Sequence, residues 1–305
     1  MRKLVLRMVF YVAGAVLLFQ GVHGCPADAP DLSPNVRRLP NVQYALGRVA
    51  DAAAEGGFRL TPLWCDVLAP TDHPEPNKIG LVLVHGGGFD HGSRRDEDLV
   101  AFADGLACQG VVCFLIDYRL QDDAPPAPPP YDDTPLRRAA HAAIVDTKAA
   151  LRYVRANSTE YGVDPALIAV FGESAGAIAA MGAAMTGDNL FVADRPDLPV
   201  PEENSPAVSS GVCAALEFWG NGEEILPNID ATDPPLMIVH GTADEYPGTP
   251  FSAAQALAET CKTQGLPHEF HALEGEGHGA WGARLAGLSL ADLAYGFLAT
   301  ASPLQ

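Results

Sequence analysis

The sequence predicts an α/β fold, a mostly parallel sheet flanked by helices on both faces. Three observations carry this expectation. Continuous apolar runs rich in β-branched residues recur at 79–84, 111–116, 167–171 and 236–239, and parallel strands buried on both faces read this way. Between such runs stand segments whose apolar residues fall three and four apart, the helical period. The connections draw on 30 Gly and 26 Pro among 305 residues, which suits many turns between short elements. Alternating strands and helices assemble as a parallel sheet, and ligand sites in such sheets lie beyond the carboxyl ends of the strands.

The elements justify themselves in order. Arg2, Lys3 and Arg7 precede an apolar run at 8–19 and a polar stretch ending at Gly24. This is the layout of a secretory signal peptide over 1–24, and the run falls short of the roughly 20 residues a membrane span needs. It predicts a secreted or periplasmic chain; an uncleaved anchor, or a lipoprotein anchored at Cys25, are the other readings of those residues. Residues 25–40, rich in Pro and Asp, read as an extended leader, and 41–305 as one domain. Period-2 patterns at 42–49 and 58–68 predict an antiparallel hairpin at the sheet edge. Leu99, Phe102, Ala103 and Leu106 mark a helix over 96–109 that stops at Gly110. Five prolines within 122–131 require an irregular loop. Helices follow at 136–157, 175–186, 252–263 and 289–299, and strands at 212–218 and 269–273. Segments 187–211 and 222–234 are acidic, Pro-rich and irregular, and read as cap segments or as surface loops.

Charge and cysteine content narrow the function classes. With 19 Lys and Arg against 38 Asp and Glu, the net charge is −19. Such a surface repels phosphate backbones, so nucleic acid is not an expected partner. Six cysteines, at 25, 65, 108, 113, 213 and 261, allow about 15 disulfide connectivities if the chain meets an oxidising compartment. Their spacing fits no zinc site, and Cys113 and Cys213 read as buried thiols. Asn157, Ser158 and Thr159 form a glycosylation sequon, meaningful in a eukaryotic source.

The chemistry-bearing motifs sit at strand ends. After the strand at 167–171 comes Gly172-Glu173-Ser174-Ala175-Gly176 and then an apolar helix. In this strand–turn–helix context G-x-S-x-G presents a nucleophilic serine on a sharp turn, at a helix N-terminus whose partial positive charge favours an oxyanion. After the strand at 79–84 comes His85-Gly86-Gly87-Gly88-Phe89. Consecutive glycines let backbone N–H groups converge on one point, so Gly87, Gly88 and Ala175 are the candidate oxyanion donors. A serine needs a base, and the base an orienting acid. Asp244 follows the strand at 236–239 and outranks its neighbour Glu245 and Asp233, which precedes the strand. Among nine histidines, His278 is singled out by its glycine-flanked place after the last strand. His85, His91, His240, His268 and His271 read as packing, pocket-lining or surface residues. Phe89, Tyr118, Trp219, Tyr246 and Trp281 stand near strand ends and are candidates for a substrate pocket, with core packing as the alternative.

In these motifs the sequence resembles the carboxylesterase/lipase branch of the α/β-hydrolases, especially the feruloyl and acetyl-xylan esterase-like and hormone-sensitive-lipase-like groups. The matching residues include His85 to Phe89, Asp117-Tyr118-Arg119-Leu120, Tyr161-Gly162-Val163-Asp164-Pro165, Gly172 to Gly176, His240 to Asp244, and Gly277-His278. The resemblance implies the α/β-hydrolase fold, a Ser174–Asp244–His278 triad, and ester hydrolysis through an acyl-enzyme without metal or organic cofactor. It implies a small-molecule or carbohydrate ester as substrate, on acetylated or feruloylated sugar for the first group, and no obligatory protein partner. Two departures stand out: Glu173 where hormone-sensitive-lipase relatives carry Asp, and Gln121-Asp122 where they carry Ala-Pro. A peptidase or amidase on the same fold is the rival within the enzymes. A non-catalytic binder is the rival outside them, and such relatives lack the serine or histidine kept here.

Overall fold

The computed structural model describes residues 32–71, 78–223 and 225–301. The stretch read as a signal peptide, 1–24, and Cys25 lie outside the described residues. Strand β1 (Val36–Ala50) pairs antiparallel with β2 (Phe58–Pro70), and β2 pairs antiparallel with β4 (Val112–Ile116). From there the sheet is parallel through β3 (Gly80–Val84), β5 (Ile168–Glu173), β6 (Ala215–Phe218), β7 (Leu236–Gly241) and β8 (His268–Leu273). The order is β1-β2-β4-β3-β5-β6-β7-β8. The predicted hairpin is therefore the edge of one eight-stranded, mostly parallel sheet.

Side-chain alternation divides the core into two layers. On one face Val82, Val84, Phe114, Ile116, Val170 and Ile238 pack under α2 (Pro135–Ala156), α4 (Ala175–Ala184) and α5 (Phe251–Gln264). On the other, Leu81, Leu83, Leu115, Phe171 and Val239 pack under α1 (Glu97–Ala107) and α6 (Leu290–Ala301). The short helix α3 (Ser158–Tyr161) and the two-residue strands β9 (Arg284–Leu285) and β10 (Leu288–Ser289) complete the elements. Strands β3 and β4 are buried throughout, which is why their sequences lack polar alternation. Truncating a leucine there costs about 2–5 kcal/mol.

Local signals explain the boundaries. Helix α2 starts where Thr134 Oγ1 accepts the Arg137 N–H at 3.2 Å, with Pro135 in the first turn. Three charged residues are buried along it, each with a partner. Asp146 meets Arg119 at 2.6 Å, Lys148 Nζ donates to the carbonyls of Thr186, Gly187 and Leu190, and Arg152 Nε donates to Asn204 O. The Lys148 and Arg152 bonds strap segment 187–211 to α2, and Asn204 ties it to Leu46 of β1. Segment 222–234 folds around a 3-10 turn at Leu226–Asn228 with Ile225 and Ile229 buried. The extended leader expected over 25–40 is corrected at its end. From Val36 it is already sheet, because Leu39 pairs with Val67 before a bulge that carries Asn41 at φ 56°. Pro40 and Asn41 break the period-2 pattern there, so the sequence hides the pairing. Cys65, Cys108, Cys113 and Cys261 are free thiols.

Candidate active site

The turn at Ser174 is built from glycines that nothing larger could replace. Strand β5 ends at Glu173, Ser174 takes φ 53° and ψ −122°, and α4 starts at Ala175. A non-glycine residue in that region is strained and persists because its surroundings over-determine it. A Cβ on Gly172 would lie 2.1 Å from Gly176 O, and one on Gly176 2.2 Å from Val84 O. The crossing of β5, α4 and β3 thus excludes side chains at both positions. Ser174 N donates to Phe218 O at 3.0 Å, fixing the turn to β6.

Two loops from neighbouring strand ends line up behind the serine hydroxyl, one touching it and the other touching the first. Ser174 Oγ lies 2.9 Å from His278 Nε2, and His278 Nδ1 lies 2.8 Å from Asp244 Oδ2. An ionised carboxylate only accepts, so Nδ1 carries the proton and Nε2 is free to accept from the hydroxyl. Thr249 Oγ1 stands 3.2 Å from the same Nδ1, and Asp244 Oδ1 accepts the Tyr246 N–H at 2.9 Å. Asp244 is buried. The loops after β7 and β8 are tied to each other. Ala243 N donates to Glu276 O at 2.9 Å, Gly275 N donates to Thr242 Oγ1 at 2.8 Å, and a Cβ on Gly241 would meet Glu276 O at 2.3 Å.

On the other side of the serine stands the glycine loop. Gly87, Gly88 and Phe89 have φ of 101°, 63° and 64°, a left-handed run that glycine makes accessible. Among the described residues, no acceptor meets the N–H groups of Gly87, Gly88 and Ala175. The Gly86 N–H is committed elsewhere, donating to the Glu173 carboxylate, which also accepts Trp219 Nε1 at 3.1 Å. Burial pushes the Glu173 carboxyl up, and these two bonds oppose the shift. Tyr118 Oη donates to the carbonyls of His85 and Gly86 at 3.0 and 3.2 Å. Farther along, Arg94 pairs with Asp66 and Asp117. Burial alone would raise the Asp66 carboxyl, but the Asn41 N–H and the guanidinium groups of Arg94 and Arg95 hold it down at about 2.

The remaining candidates fall away from this point. Glu245 is exposed, and Asp233 sits before β7, at the far end of the strand. His85 stacks on Tyr118 at 4.3 Å, His91 pairs with Asp90, His268 Nδ1 contacts Leu266 O, and His271 pairs with Glu269. The expected aromatic pocket is largely corrected. Trp219 is fully buried against Trp281, with ring centroids 4.9 Å apart, and Trp281 also stacks toward Phe102 and Phe171. Phe89 and Tyr118 are buried and packed edge to face. Rings so placed are core because their neighbours come from other strands, which linear position does not reveal. Tyr246 alone offers an exposed ring, 54% accessible and stacked on His278 at 4.8 Å.

Three participants escape the sequence reading. Glu173 carries a signal inside the serine motif, but its partners Gly86 and Trp219 come from different loops. His240 lies 3.0 Å from Asp244 Oδ2, and Thr249 joins the same cluster. A cleft of about 440 Å³ opens elsewhere, among Pro128, Tyr131, His141, Phe191 and Leu198, and includes none of these residues. The site is located by hydrogen bonding and strand ends, not by volume.

Comparison with known proteins gives concordant likenesses. The family model BD-FAE matches residues 65–210. The carboxylesterase NlhH of Mycobacterium tuberculosis is 33% identical over 182 residues, 54% of this chain and 51% of that protein. The esterase LipI of the same organism is 30% identical over 219 residues, 67% of this chain and 62% of that one. The chain thus matches about half the length of NlhH. Among solved structures, the thermophilic esterase Est2 of Thermogutta terrifontis superposes with a TM-score of 0.62 at 25% identity, covering 88% of this chain and 91% of that one. A truncated carbohydrate esterase from gut microbiota gives a TM-score of 0.63 at 20% identity over 90% and 99%, a likeness of fold.

Proposed function

We propose that this chain, an α/β-hydrolase of the carboxylesterase/lipase branch, is a secreted serine esterase that cleaves carboxylic esters through an acyl-enzyme. The observation that carries the reading is the continuous relay from Ser174 Oγ to His278 at 2.9 Å and on to Asp244 at 2.8 Å, anchored on a strained turn.

In the proposed cycle, His278 Nε2 takes the Ser174 proton as Oγ bonds to the ester carbonyl carbon. Asp244 keeps the second imidazole proton on Nδ1 and steadies the imidazolium. The unused N–H groups of Gly87, Gly88 and Ala175 receive the oxyanion, each donor being worth about 2.7–4 kcal/mol. Collapse breaks the C–O bond, and His278 delivers the proton to the leaving alcohol. Water then attacks the acyl-enzyme, its proton passes to His278 and on to Ser174, and the carboxylic acid departs.

An esterified sugar is the substrate class the site supports best. The exposed Tyr246 ring lies flat beside the imidazole that protonates the leaving group, where a sugar or aryl face can stack. Secretion rests on Arg2, Lys3 and Arg7 and the apolar run after them. The test is hydrolysis of p-nitrophenyl acetate, acetylated xylan and feruloyl sugars, beside a p-nitroanilide control. Ser174→Ala should lower kcat by about 10⁶ while leaving the melting curve in place. A variant with ordinary activity, or a wild-type serine that a fluorophosphonate fails to label, refutes the reading.

A further inference from the structure

Glycine loops and the serine turn leave the buried imidazole of His240 unexplained. His240, the fifth residue of β7, is wholly buried, and its Nε2 lies 3.0 Å from Thr249 O and 3.0 Å from Asp244 Oδ2. Both neighbours are acceptors, so Nε2 must carry a proton. Among the described residues its Nδ1 has no hydrogen-bond partner, so a second proton there would be buried without an acceptor. Burial favours the neutral ring and outweighs the opposing pull of Asp244 and of the Thr249 carbonyl, while His278 adds to the neutral side. The other face of the ring meets Phe251, with centroids 6.0 Å apart. An apolar side chain could fill this space without burying an unpaired nitrogen, so packing alone does not account for an imidazole here.

We propose that His240 is a positioning residue: its single N–H, shared between Asp244 Oδ2 and Thr249 O, fixes the two residues that face His278 Nδ1. Asp244 Oδ2 thereby lies between two imidazoles, one exposed to the reaction and one locked in the sheet. Thr249 is held by its carbonyl while its hydroxyl stands 3.2 Å from His278 Nδ1. The shared proton also draws charge from Oδ2, tempering the attraction between Asp244 and the imidazolium. This inference rests on the esterase reading for its kinetic consequences, but not for its hydrogen bond.

The test pairs proton NMR with kinetics on the full chain. Wild type should show two slowly exchanging downfield imidazole N–H resonances, one of which disappears in His240→Phe and in His240→Gln. His240→Phe should lower kcat about tenfold, the worth of one hydrogen bond to a charged group, and leave KM within about twofold. The acid limb of its pH–rate profile should move to higher pH, since Asp244 loses a competing donor. His240→Gln, whose amide N–H reaches the same position, should restore rate and profile. Loss of activity that is equal in both variants with the acid limb unmoved or lowered overturns the proposal, as does wild-type behaviour in His240→Phe. If His240→Phe does not fold, His240→Gln and the wild-type spectrum decide; a wild type with no His240-dependent downfield proton overturns it. Absence of ester hydrolysis in a wild type that retains that proton refutes the esterase reading alone.

Discussion

Two arms reach the serine from opposite sides, and they are held by opposite means. The glycine arm, 85–96, is braced from beneath: Tyr118 holds its carbonyls, Glu173 its first glycine, and Asp66 and Asp117 its arginine. The histidine arm is braced from beside. Its loops bond mainly to each other, and the His278 side chain stays 26% exposed under a more exposed Tyr246. The difference follows the work each does in the proposed reaction. Oxyanion donors act by being in place before charge develops, which rewards rigidity. A general base must pass protons to a leaving alcohol and from a water, which requires an open face.

Substitutions on each arm sharpen or break this contrast. The largest effect is expected in the histidine arm at its buried root. Asp244→Asn preserves shape but stabilises the wrong imidazole tautomer, so kcat should fall by about 10⁴ with a wild-type melting temperature. A drop below tenfold would show that Thr249 can orient the ring alone. Next comes the glycine arm. Gly87→Ala sets a Cβ 2.2 Å from His91 O at a φ of 101°, and the loop must shift. Losing one oxyanion donor should lower kcat by about 10²–10³ with little change in KM. If kcat survives, the arm is not the preorganised element its bracing implies. The smallest effect is expected at Tyr246→Ala, which removes an exposed ring. Hydrolysis of an acetylated sugar should fall about threefold to tenfold, mainly in KM, and that of p-nitrophenyl acetate less, as fits a stacking contact of about 0.5–1.5 kcal/mol. Equal losses on both substrates would reassign Tyr246 to holding His278.

Legibility in the sequence followed the range of each constraint. Strands β3 to β7 were readable because burial on both faces writes continuous apolar runs, and the turns because close backbone crossings demand glycine at 172, 176 and 87. Asp244 and His278 were reachable from their places after strand ends, and the structure brings both within hydrogen-bond distance of their neighbours. What stayed hidden depends on pairing between distant segments. Trp219 looked like a pocket wall until Trp281 and Glu173 closed around it. His240 looked like packing because Thr249, nine residues on, supplies its acceptor only after the loop folds back. The start of β1 was masked by a bulge at Asn41 that cancels the alternation expected of a strand.

The edge hairpin has a role that its distance from the histidine arm conceals. Asp66, on β2, gathers Arg38 and the Asn41 N–H from β1 together with Arg94 and Arg95 from the glycine arm. Strands that resemble trim are thus footings for the loop proposed to supply the oxyanion donors. Anyone shortening this protein to a minimal catalyst would have to cut upstream of Val36. A fragment beginning at β3 would keep Ser174, Asp244 and His278, yet leave Arg94 and Arg95 without Asp66 at the foot of the loop.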